Sequence, residues 1–106
     1  MNTLTDRRLI LQSKLEELLG SRNVYFQPPE TLKMNYPCIR YKKARPRVNH
    51  ADDMKYFKKD HYELTVIATD PDTDIPDILA DAFPYCSIDR YYNSNNLTHC
   101  ALDLYF

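Results

Sequence analysis

Three histidines, three cysteines and one aspartate-rich run are the residues of this chain best equipped to do chemistry, and their spacing is poor for it. His50, His61 and His99 stand far apart. None has a second His, Cys or acidic ligand at the i, i+3 or i+4 spacing on a predicted helix that gathers zinc ligands on one face, so no metal is expected. Cys38, Cys86 and Cys100 are odd in number and lack a paired spacing, which predicts reduced thiols instead of a disulfide framework. Asp70, Asp72, Asp74 and Asp77 look superficially like a calcium loop. The glycine and the bidentate glutamate that such a loop needs are absent, and carboxylates at a helix N-terminus explain the run better. No Ser/His/Asp or Cys/His context marks a nucleophile, and a single glycine, Gly20, excludes a glycine-rich phosphate loop. These residues predict neither an enzyme nor a cofactor.

The most unusual segment is basic. Lys42, Lys43, Arg45, Arg47, Lys55, Lys58 and Lys59 are half of the 14 Lys and Arg residues, with Asp52 and Asp53 near the middle of the stretch. With one strand ending near Tyr41 and the next starting near Tyr56, the segment becomes a long basic hairpin loop, a feature more often functional than idle. It reads either as a solvated tip that keeps the chain soluble or as an arm for DNA phosphates or an acidic partner surface. Apart from Tyr56 and Phe57 it lacks the interleaved aromatics of a single-strand-binding platform. The formal net charge of -1 removes long-range attraction to nucleic acid or an acidic membrane, so any DNA contact is local. Nine tyrosines and no tryptophan suit either wet protein interfaces or exposed strands.

Two helices and four to five strands must position these groups. Thr3 and Asp6 have capping-box spacing, and Leu9, Ile10, Leu15, Leu18 and Leu19 fall near one helix face before Gly20 closes it as a left-handed cap. Residues 24–26 form a short strand stopped by Gln27-Pro28-Pro29, and residues 36–41 a second with Pro37 among its first positions. Cys38 then packs as a small hydrophobe or lies on the outer face. Over residues 56–69 the alternation sets Tyr62, Leu64, Val66 and Ala68 on one side and His61, Glu63, Thr65 and Ile67 on the other. After the turn at 70–74, with Pro76 in the first helical turn, Ile75, Ile78, Leu79, Ala82 and Phe83 make one buried stripe that Pro84 ends. Strands at 85–92 and 97–106 are joined by Asn93-Ser94-Asn95-Asn96, with Cys100, Leu102, Leu104 and Phe106 on one face and Cys86 and Cys100 approaching as free thiols. The order predicts a single α+β domain over residues 1–106, a mainly antiparallel sheet with the N-terminal helix and a second helix packed on it. No stretch reads as a signal peptide or membrane span, so cytoplasmic synthesis and no membrane contact are expected.

With Val24-Tyr25-Phe26-Gln27-Pro28-Pro29-Glu30, Met34-Asn35-Tyr36-Pro37-Cys38-Ile39-Arg40-Tyr41, Tyr62-Glu63-Leu64-Thr65-Val66, Asp70-Pro71-Asp72 and Leu102-Asp103-Leu104-Tyr105-Phe106 in this order, the chain resembles small tail-completion proteins from the neck gene clusters of long-tailed bacteriophages. The likeness runs over nearly its whole length, and the tail-terminator family is similar in layout. The resemblance implies a structural virion protein of the neck, assembled in the host cytoplasm into a ring, six-membered in that family. Such a ring caps the tail tube, halts its polymerisation and meets the head–tail connector or stopper protein. Its partners are thus further copies of itself, the tail tube protein and the connector. A ring needs a heterologous interface that closes on itself. Sheet edges and the strand-end tyrosines Tyr25, Tyr41, Tyr91, Tyr92 and Tyr105 are the expected subunit contacts. The basic loop is expected to face an adjoining ring or the lumen, with non-specific DNA contact there. Two rivals stand beside this reading: a head-completion protein (stopper or adaptor) of the same neck, and a small DNA-binding regulator that uses the basic segment.

Overall fold

The computed structural model describes residues 3–45 and 59–106. Helix α1 (Thr3–Leu19) leads into strands β1 (Val24–Phe26), β2 (Cys38–Ala44) and β3 (His61–Ala68), then helix α2 (Ile75–Ala82) and strands β4 (Cys86–Ser94) and β5 (Leu97–Tyr105). The strands form one sheet in the order β1-β2-β3-β5-β4. It is α+β, as the sequence predicts, and antiparallel apart from one parallel pair, β1 with β2.

Period-2 alternation builds the core. Leu64 sits opposite Tyr41 on β2 and Leu102 on β5, and Val66 opposite Ile39 and Cys100, so one face of the three central strands is continuous and apolar. Both helices cover that face, α1 through Leu11 and Leu15, α2 through Leu79 and Phe83, all in one buried cluster. Burying each such side chain is worth about 1.5–3 kcal/mol, which makes this layer the main source of stability.

The helix stripes differ from the predicted ones. On α1, Leu9 and Ile10 are 51% and 52% exposed while Leu11 is fully buried, so the stripe runs through Leu11, Leu15, Leu18 and Leu19. Six apolar residues over eleven positions offer two overlapping 3.6-period faces, and only contact with the sheet chooses between them. On α2 the buried positions are Pro76, Leu79 and the flanking Phe83, with Ile75 half-buried, whereas Ile78 and Ala82 are exposed. An eight-residue helix lying against β4 and α1 buries only a narrow strip. Of the predicted Thr3–Asp6 capping box, Asp6 stands in the first turn of α1, while Thr3 lies outside the described side chains.

Strand limits also move. β2 starts after a cis Tyr36–Pro37 peptide and continues through Lys42, Lys43 and Ala44, which pair with Glu63, Tyr62 and His61. Lys42 and Lys43 are therefore strand residues and not part of a loop. The ladder extends because lysine stems tolerate a strand whose one face is open to water. β3 starts at His61, and the predicted strand start at Tyr56 lies outside the described residues. At the β4–β5 hairpin the strands run on to Ser94 and Leu97, leaving Asn95 and Asn96 at φ 53° and 62° as the two central turn residues. Positive φ at both is the mark of the tight turn that matches strand twist, and asparagine tolerates it. Gly20, at φ 81° with its N–H on the Glu16 carbonyl, caps α1 as predicted.

Candidate interaction surfaces

The sheet face turned away from the helices is polar and open. Arg40, Lys42, Glu63, Thr65, Arg90 and Asp103 line a groove of about 540 Å³ there. Glu63 stands opposite Lys42 on one side and Asp103 on the other. Asp103 is drawn off by His61, a buried residue of the same face: His61 Nε2 lies 2.8 Å from its Oδ1 and Nδ1 lies 2.7 Å from the Arg45 carbonyl oxygen. Tyr105 stacks on the imidazole at 4.6 Å. The second described histidine, His99, is covered by Tyr92 at 4.8 Å, and the Arg90 guanidinium lies 5.7 Å from the Tyr92 ring. His50 lies outside the described residues.

Four of the seven basic residues singled out by sequence lie at one end of the sheet. Lys42 projects on the open face opposite Glu63, and the Lys43 ammonium lies 3.7 Å from Asp60. Arg45 follows β2 and is exposed; Lys59 precedes β3 with its ammonium 5.4 Å from the Tyr85 ring. Arg47, Lys55 and Lys58 lie outside the described residues. Sequence reasoning missed Arg7 and Arg8, which α1 brings to the same end. The Arg7 guanidinium donates to the Phe106 carbonyl at 2.6 Å and lies 3.9 Å from Asp60, and Arg8 lies 4.4 Å over the Phe26 ring. Pairings of residues 53 and 99 positions apart leave no local signal in a sequence; the adjacent arginines early in the helix were the sole hint.

The tyrosines divide. Tyr41 is 1% exposed, its ring against Phe26 and Tyr62 and its hydroxyl bonded to Gln12 Oε1 at 2.5 Å, so it is a core residue and not a subunit contact. Its hydroxyl is held in its neutral form by burial, against a smaller opposing pull from Arg8. Tyr25 and Tyr105 are half-buried, whereas Tyr91 and Tyr92 are 54% and 38% exposed on the edge strand β4. All three cysteines are free. Burial pushes the Cys38 and Cys86 thiols up to about 11 and raises Cys100 as well. Cys38 has the outward strand parity of Arg40 yet is fully buried, so both readings of it apply at once. Among the described residues no group of three His, Cys, Asp or Glu side chains is placed to hold a metal ion, and no helix is long and apolar enough to cross a membrane.

No protein-family model matches the chain, no curated protein matches its sequence and no solved structure matches its fold.

Proposed function

We propose that this chain is a tail-terminator-like structural protein of a long-tailed phage, acting as a ring of identical subunits that ends the tail tube and joins it to the head connector. What supports the reading is the layout: an N-terminal helix, a mainly antiparallel sheet, one further helix on the same face and a closing hairpin, the arrangement that the resemblance in sequence calls for. Among the described residues the protomer is covered on one sheet face and open on the other, with two unpaired sheet edges, which offers distinct surfaces for a neighbour on each side and for different axial partners. In this reading the tube protein and the connector are the axial partners, the virion neck is the site of action, and the protein works by contact instead of catalysis. Electron microscopy of the purified protein is expected to show closed rings, and phage lacking the gene is expected to make tails of uncontrolled length. Tails of normal length without the protein reject the role; finding the protein on tailless heads assigns it to head completion instead.

A further inference from the structure

The strand register fixes which residues share an end of the molecule. Ala44, His61, Tyr105 and Cys86 lie at one end of their strands; Cys38, Ala68, Thr98 and the 94–97 turn lie at the other. Lys42, Arg45 and Lys59 fall at the first end, where α1 also begins, tied there by Arg7 on the Phe106 carbonyl. Asp70, Asp72 and Asp74 follow β3 directly at the second, with Asp77 in the first turn of α2. Arg22, between α1 and β1, offsets part of this negative charge, as Asp60, Glu63 and Asp103 offset part of the positive charge at the first end. Among the described residues no carboxylate makes an ion pair with Lys42, Arg45 or Lys59, and no cation makes one with Asp70, Asp72 or Asp74.

An eight-residue strand at about 3.3 Å per residue sets the two ends about 25 Å apart. That is well beyond the Debye length of roughly 8 Å at physiological salt, so the ends do not neutralise one another within one chain. The net charge of -1 shows that opposite charge is nevertheless nearly balanced over the molecule. A second copy satisfies both ends at once, whereas a polyanion engages the basic end alone.

We infer that copies of this chain dock head to tail, the basic end of one protomer, around Lys42, Arg45 and Lys59, meeting the acidic turn that precedes α2 in the next. This rests on the ring reading and names its interface: two unlike surfaces of one chain form a heterologous contact, the kind that closes into a ring. Single exposed ion pairs are weak. Half-exposed Tyr85 beside Lys59 and Tyr36 just ahead of β2 add apolar area at the two ends, and ring closure turns later contacts into intramolecular ones.

Light scattering of the full-length chain at 50 mM and 500 mM NaCl tests this with two reversals, Lys42→Glu with Arg45→Glu at the basic end and Asp72→Lys with Asp74→Lys at the acidic end, each checked for native circular dichroism. Expected are rings of the unaltered chain at low salt, at least tenfold weaker association at high salt and in each folded reversal, and recovery of rings when the two reversals are mixed in equal amounts. Rings that persist in both reversals overturn this interface and leave the ring reading standing. A mixture of folded reversals that stays monomeric overturns it too. An unaltered chain that is monomeric at every salt concentration sinks the ring reading itself. Reversal of the basic end that abolishes duplex DNA binding while leaving rings intact assigns that end to DNA and overturns the inference.

Discussion

His61 joins three parts of the chain that are distant in sequence: the end of β2 through the Arg45 carbonyl, and β5 through the Asp103 carboxylate and the Tyr105 ring. Replacing it with alanine removes a hydrogen-bond partner of the Arg45 carbonyl and of the Asp103 carboxylate and takes away the ring on which Tyr105 stacks. Each lost hydrogen bond costs about 0.5–1.5 kcal/mol, and the lost packing of a buried ring adds to it. His61→Ala is therefore expected to lower the unfolding free energy in urea by about 3 kcal/mol, and a loss below about 0.5 kcal/mol, the range of neutral surface changes, argues against a structural role. The thiols make a second residue-scale prediction. Cys38 and Cys86 ionise at about 11 in the folded chain against an ordinary value of 9.0. The unfolded chain then loses these protons first as pH rises, so their stability contribution is complete below pH 9 and is lost as pH climbs through about 11. Urea titrations at pH 8 and pH 11 are expected to show that fall, and Cys38→Ala to show a shallower one. A fall of equal depth in the variant rules out the thiol as its source.

At the scale of elements, β3 and the capped end of α1 were the most legible parts of the sequence, because each carries one unambiguous signal. The alternation through Tyr62, Leu64 and Val66 admits one register against a buried face. Gly20 sits where positive φ is required, at 81°. A Cβ placed on Gly20 meets nothing within 4 Å, so the penalty for Gly20→Ala is purely one of backbone conformation, about 1 kcal/mol. Its melting temperature is expected to drop by about 4–8 °C; an unchanged value places the cap elsewhere. The helix stripes were less legible. Leu9, Ile10 and Leu11 are equivalent to any sequence argument, and only the position of the sheet buries Leu11 while exposing the other two. The end of β2 was hidden for a related reason: a lysine pair looks like loop, yet Lys42 and Lys43 face opposite sides of a strand and each side has room for a charge. Of the candidate contacts, Tyr91 and Tyr92 are exposed, but both pair within the β4 ladder, opposite Cys100 and His99, instead of standing at a strand end. The burial of Tyr41 did not show, since a tyrosine that pairs with Gln12 across 29 positions has the same local setting as one that faces water.

On the scale of the whole molecule, one layer of helices on one sheet face leaves an open face and two edges, and β4 is much the longer edge, nine residues against three for β1. Most of β4 is exposed. Its ladder with β5 carries an irregularity: Ile88 pairs with Leu102 and Arg90 with Ala101, so Asp89 is one residue more than the partner strand supplies. Such an insertion bends a border strand and breaks the even row of amides on its outer side, and a charge on it repels an unwanted visitor. Taking Asp89 out leaves the inward and outward alternation of the other residues intact, since Ile88 and Arg90 already have consecutive partners. The shortened chain is expected to fold with the same core and to gather thioflavin-positive fibrils at concentrations where the unaltered chain stays clear; a clear solution refutes it. On this account one surplus aspartate keeps the border strand from acting as a template for uncontrolled cross-β growth.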